Sequence, residues 1–150
     1  MNAFILKISQ PIDSKWIWDD SGSGSDDDVA IWSLKPPSSE YKCLGHVATQ
    51  GNSIKPNLDN YRCVRNDYLA ETTIRTSSIW DDSGSGADDD FGAFRILKNT
   101  VTISMGLFWS HGFHDGPTGE SRWTYGLKSQ SSLQCTSSFD DCNVVEFFTY

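Results

Sequence analysis

The sequence predicts an all-β domain of pseudo-symmetric antiparallel sheets, and three observations carry that prediction. Short apolar, β-branched and aromatic runs alternate with clusters of Gly, Ser, Asn, Asp and Pro, the punctuation expected of strands joined by turns. No stretch holds a helical apolar period over three turns, and twelve Gly interrupt the chain too often for long helices. One string occurs twice: residues 17–28 read IWDDSGSGSDDD and residues 79–90 read IWDDSGSGADDD, differing only at Ser25 against Ala87.

The strand-like runs are residues 3–8, 16–18, 29–32, 94–97, 101–105 and 144–148, and the first and last are expected to pair and close the domain. Similarity continues past the duplicated string. Val29-Ala30-Ile31-Trp32 is echoed by Phe91-Gly92-Ala93-Phe94, Leu34-Lys35 by Leu97-Lys98, and Leu44-Gly45 by Met105-Gly106. Each unit therefore reads strand, acidic loop, strand, turn, strand. Residues 1–150 form one domain with internal repeats at about 16–60 and 78–115. A diverged third unit from about Ser121 onward favours a β-prism-like arrangement of three sheets, with a two-sheet β-sandwich as the alternative. Trp18, Trp32 and Trp80 are expected in the core, and strand alternation places Trp16 and Trp18 on one face with Ile17 on the other.

Composition narrows the function. The aromatic share of 13% supplies large buried area per residue, so 150 residues suffice for a real core. A net charge of −8 repels phosphate backbones and anionic lipid, which argues against nucleic acid as a partner. No apolar run approaches the roughly 18 residues a transmembrane helix needs. No basic segment followed by a long apolar one opens the chain, so the expectation is a cytoplasmic protein, or one secreted without a visible signal peptide. The four cysteines lack CxxC spacing, which disfavours a zinc site among them. Free thiols and disulfides both remain open, with Cys135 and Cys142, flanking a short loop, the better candidates for a bridge over Cys43 and Cys63.

The duplicated loops are the candidate site. Each hairpin gathers five carboxylates: Asp19, Asp20, Asp26, Asp27 and Asp28 in the first, Asp81, Asp82, Asp88, Asp89 and Asp90 in the second. Crowded carboxylates repel one another and raise their own pKa values unless a cation neutralises them. Ca²⁺, which takes six to eight oxygens, suits such a cluster, with the hydroxyls of Ser21, Ser23, Ser83 and Ser85 completing the set. The plainer alternative is a solvated hairpin whose Asp side chains cap turn N–H groups. The loops do not follow the EF-hand spacing. Aromatic rings beside carboxylates suit a sugar, whose apolar face stacks while its hydroxyls bond to Asp or Ca²⁺. Trp16 adjoins the first loop, and Trp109, His111, His114 and Trp123 sit in a polar, partly exposed neighbourhood. His111 and His114 also offer a metal pair with Asp115, against the plainer reading of a solvated loop. No GxSxG, HExxH or phosphate loop is present, and no catalytic residue is expected.

The loop Trp-Asp-Asp-Ser-Gly-Ser-Gly, Val29-Ala30-Ile31-Trp32, Leu44-Gly45-His46-Val47-Ala48 and the string from Lys55 to Asp67, KPNLDNYRCVRND, resemble the vacuolar protein sorting-associated protein 62 family of plants and fungi. The resemblance spans roughly residues 16–110. It implies a trafficking context and no catalytic residues. The loop by itself is also similar to adaptor-binding repeats of bridge-like lipid-transfer proteins. The leading expectation is a non-enzymatic, lectin-like module binding a glycan or glycoconjugate with the help of Ca²⁺, and compatible with a homo-oligomer. The alternatives are a protein-interaction adaptor in vacuolar or membrane trafficking and the targeting component of a pore-forming or defence toxin.

Overall fold

The computed structural model describes residues 7–129. Among them there is no α-helix, and the fold is all-β. In chain order the strands are β1 (Ile8–Ser9), β2 (Asp13–Asp19), β3 (Val29–Lys35), β4 (Tyr41–Lys42), β5 (His46–Gln50), β6 (Cys63–Arg65), β7 (Leu69–Asp81), β8 (Gly92–Ile96), β9 (Phe108–His111) and β10 (Trp123–Leu127). They form three antiparallel sheets, ordered β1-β6-β4, β2-β3-β5 and β10-β7-β8-β9. No helix among the described residues is long and apolar enough to cross a membrane.

The two sequence repeats fold into two copies of one three-stranded unit, β2-β3-β5 and β7-β8-β9, in matching register. Trp16, Trp18 and Asp19 face Trp32, Ile31 and Ala30, while Ser78, Trp80 and Asp81 face Phe94, Ala93 and Gly92. Ala30 then faces Thr49, as Gly92 faces His111. In both units one residue before the second Trp or its counterpart is extra: Ile17 in β2 and Ile79 in β7. Such a bulge breaks the two-residue alternation of a strand. It overturns the expectation that Trp16 and Trp18 share a face, because Trp16 is 42% exposed and Trp18 only 1%. Gly45 and Gly106 turn the chain into the third strand of each unit with φ of 68° and 64°, a conformation that glycine adopts without Cβ strain.

Other expectations shift for local reasons. Residues 101–105 make no strand and contribute only the isolated bridge between Thr102 and Lys128. The Asn99 side chain accepts the N–H groups of both Val101 and Thr102, so the segment turns where strand pairing was expected. Conversely β7, rich in Thr and Ser, runs for 13 residues and carries the four-stranded sheet, yet shows no obvious apolar run. Residues 144–148, with the expected pairing of the chain ends, lie outside the described residues, as do Cys135 and Cys142.

The core around the loops is Trp18, Ile31 and Phe91, with Ile17, Val29, Ala93 and Phe108 packed against it. Trp32 is also buried, but Trp80 is 51% exposed, against the expectation of burial. The Trp18 indole is bonded to the second loop, whereas Trp80 lines a groove open to solvent.

Cys43 and Cys63 are joined in a disulfide across a sequence separation of 20 residues. Closing a loop of this size removes unfolded-chain entropy, so reduction should lower stability by about 3 kcal/mol. Urea unfolding with and without a thiol reductant measures this, and an unchanged midpoint would contradict it.

Candidate functional site

The duplicated loops are built by the same hydrogen bonds, beginning with their first two Asp. Asp19 Oδ1 accepts the Ser21 N–H at 3.1 Å, and Asp81 Oδ1 accepts that of Ser83 at 3.2 Å. Asp20 Oδ1 accepts the Val29 N–H at 3.1 Å, and Asp82 Oδ1 that of Phe91 at 2.7 Å, each clamping the hairpin stem. The Ser23 and Ser85 hydroxyls accept from the N–H of Ser25 and Ala87. The repeats diverge at one donor. The Trp16 indole N–H donates to Asp19 Oδ2 at 3.0 Å, where Ser78 Oγ donates to Asp81 Oδ2 at 3.0 Å.

These bonds reverse the expected charge behaviour of Asp19 and Asp81. Partial burial pushes the Asp19 carboxyl upward, but hydrogen bonds from Ser21 and from the Trp16 indole outweigh it and hold it below the usual carboxylate value. The hydroxyl of Ser83, then that of Ser78, lowers Asp81 in the same direction. The first two Asp of each loop therefore act as turn clamps, and local N–H and O–H donors favour the ionised form of Asp19 and Asp81.

The loops also pack on one another. The Asp88 N–H donates to the Ser21 carbonyl at 2.8 Å, and the Trp18 indole N–H donates to the Asp89 carbonyl at 2.7 Å. Trp18 stacks on Phe91 with ring centroids 4.6 Å apart. Gly22, at φ +86°, lets the first loop approach the Asp88 carboxyl so closely that a Cβ there would overlap it. Asp26, Asp27, Asp28, Asp88, Asp89 and Asp90 are left exposed.

Between β2 and the second loop lies a cleft of about 410 Å³, lined by Trp16, Ile17, Asp88, Asp89, Asp90 and Gly112. An exposed Trp thus shares this lining with three consecutive Asp of the other repeat. A larger, mostly apolar groove of about 590 Å³ runs past Trp18, Ile79, Trp80 and Phe108. The remaining candidates lie elsewhere. Trp123 is exposed on β10, an edge strand. Trp109 is half-buried, between the rings of His46 and His111. His111 Nε2 meets the Asp115 carbonyl at 2.8 Å, so it does not converge with His114.

His114 turns instead toward the second loop, a contact the sequence did not disclose. Its Nε2 lies 2.7 Å from Asp82 Oδ1 and 3.7 Å from Asp90 Oδ1. The hydrogen bond to Asp82 raises its pKa above the usual imidazole value, helped by the charges of Asp90 and Asp82. His46, the histidine of the LGHVA string, plays a different part. Its Nδ1 accepts the Ser110 N–H at 3.0 Å and lies 2.8 Å from Ser110 Oγ, joining β5 to β9. Burial lowers its pKa to about 4.

The profile of the vacuolar protein sorting-associated protein 62 family matches residues 2–135. The chain belongs to this family. The match extends at both ends beyond the segment whose motifs carry the resemblance in the sequence. No curated protein matches this Vps62-family chain. Among solved structures, it is similar to the crystal structure of GNIP1Aa from Chromobacterium piscinae, with a TM-score of 0.62 and 29% identity. The alignment covers 74% of this chain and 22% of GNIP1Aa, so the Vps62-family chain spans under a quarter of that protein's length.

Proposed function

We propose that this Vps62-family chain is a non-enzymatic carbohydrate-binding module whose ligand occupies the cleft between the repeats. The observation that carries this reading is that the exposed Trp16 lines one space of about 410 Å³ together with Asp88, Asp89 and Asp90. A pyranose has an apolar face to lay on an indole and a rim of hydroxyls to donate to carboxylates, and a cleft with one aromatic wall and one acidic wall complements both. Ca²⁺ at the exposed carboxylates would bridge sugar hydroxyls to the protein, and the three sheets would hold the loops as the ends of a prism-like frame. The alternative, an adaptor that binds basic segments of a partner, draws support from the six exposed carboxylates of the two loops.

A glycan array probed with the wild-type chain and Trp16→Ala, with and without EDTA, tests the proposal. Loss of the indole should weaken sugar binding at least about tenfold, about 1.4 kcal/mol, while Trp123→Ala, remote from the cleft, should leave it unchanged. An array with no signal, alongside binding to Lys/Arg-rich peptides, would replace the lectin reading with the adaptor.

A further inference from the structure

We infer that Asp82, Asp90 and His114 form a site for one divalent transition cation of the borderline class, with Zn²⁺ its simplest probe. The inference goes beyond the carbohydrate reading and does not depend on it. One donor atom from each of the three residues lies within 4.8 Å of the others. They come from separate places: Asp82 opens the second loop, Asp90 closes it, and His114 follows β9. The hairpin stem brings the two Asp together, and His114 joins them from beyond β9, a third ligand that a solvated hairpin does not require.

The geometry is close to that of a ligated ion. Zinc bonds to imidazole nitrogen and carboxylate oxygen at about 2.0–2.2 Å, which at tetrahedral angles places ligand atoms about 3.4 Å apart. The observed separations of 2.7 and 3.7 Å from His114 Nε2 to the two carboxylates bracket that spacing. Asp82 is 5% exposed and its Oδ1 is pinned by the Phe91 N–H, so one ligand is fixed in place. The side chains of Asp90 and His114 are 66% and 38% exposed, leaving an open side for water or a ligand atom. Two carboxylates also neutralise the charge of a divalent ion.

Donor chemistry selects the class. Ca²⁺ prefers six to eight oxygens, whereas one imidazole with two carboxylates suits Zn²⁺ and its neighbours. The repeat supplies an internal contrast. Counting on from the equivalent pair Thr49 and His111, the first unit has Asn52 where the second has His114. No comparable three-ligand group of His, Cys, Asp or Glu surrounds the first loop among the described residues. The stoichiometry should therefore be one ion per chain, despite two nearly identical loops.

Titration calorimetry of the full chain with ZnCl₂, after alkylation of any free thiol, tests the site. One Zn²⁺ should bind per chain, His114→Gln and Asp90→Asn should each weaken binding at least tenfold, and excess CaCl₂ should not displace it. Both substitutions are at exposed side chains, and circular dichroism verifies that the variants fold. His111→Gln should bind as the wild type does. Absence of stoichiometric binding, binding indifferent to His114→Gln and Asp90→Asn, or an equal loss in His111→Gln would each overturn the inference.

Discussion

Trp18→Ala should lower stability by about 3–5 kcal/mol, whereas the same change at Trp80 should cost less than about 1 kcal/mol. The two residues occupy equivalent positions in the repeats, next to the same acidic string, so the contrast isolates environment from sequence. Trp18 is enclosed by Ile31 and Phe91, stacked on the latter, and its indole N–H is bonded to the Asp89 carbonyl of the other loop. Its removal opens a cavity and unties the two loops together. Trp80 meets Trp18 edge-on at 6.1 Å and Phe91 at 5.7 Å, with its other side in solvent. Guanidinium unfolding of both variants measures the difference, and similar losses would mean that the loops do not lean on Trp18.

Acidification should remove up to about 3 kcal/mol of stability through His46 alone. Its pKa is about 4 in the fold against 6.5 for the free side chain. Above pH 6.5 neither state binds the proton, and the contribution is intact. As pH falls from 6.5 toward 4 the unfolded chain takes up a proton that the fold refuses, and stability declines. Below 4 both states are protonated and the loss is complete. The refusal has a structural cause besides burial: Nδ1 is already the acceptor for the Ser110 N–H. His46→Asn offers Oδ1 at a similar position, so it should keep that bond and flatten the pH dependence between 6.5 and 4. His114 works in the opposite sense. Its raised pKa contributes stability that is full below 6.5 and lost as pH rises through the folded value, screened by solvent. Comparing urea midpoints of wild type and His46→Asn across this range cancels that term, and parallel profiles would refute the assignment.

The parts of the fold legible in the sequence are those where the chain repeats itself. The shared string gave two hairpins with the same stem bonds, and the weaker echoes at Leu44-Gly45 and Met105-Gly106 marked equivalent turns. What escaped depends on contacts between distant residues. The exposure of Trp80 follows from which loop packs over which indole, and no local pattern encodes that. Strand β7 hid because its Thr and Ser pair as a polar-looking strand, while residues 101–105 misled because one Asn side chain diverts them. At the site, the sequence indicated the acidic loops and Trp16 but not which carboxylates remain available. Asp19, Asp20 and Asp81 are engaged in clamping their own turns, and Asp82 clamps its turn while also meeting His114. The proximity of His114 to Asp82 spans 32 residues, and no local pattern in the sequence disclosed it.

The bridge between Cys43 and Cys63 has a topological consequence. It turns β5 and the KPNLDNY segment into a covalent ring that begins beside β4 and ends in β6, two strands that pair directly. A protease that cut this ring once would leave both halves of the polypeptide bonded to each other, with the two repeats still tethered. Further cuts inside the ring would leave the bridge in place, and separating the halves would require an electron donor or a cut outside the ring.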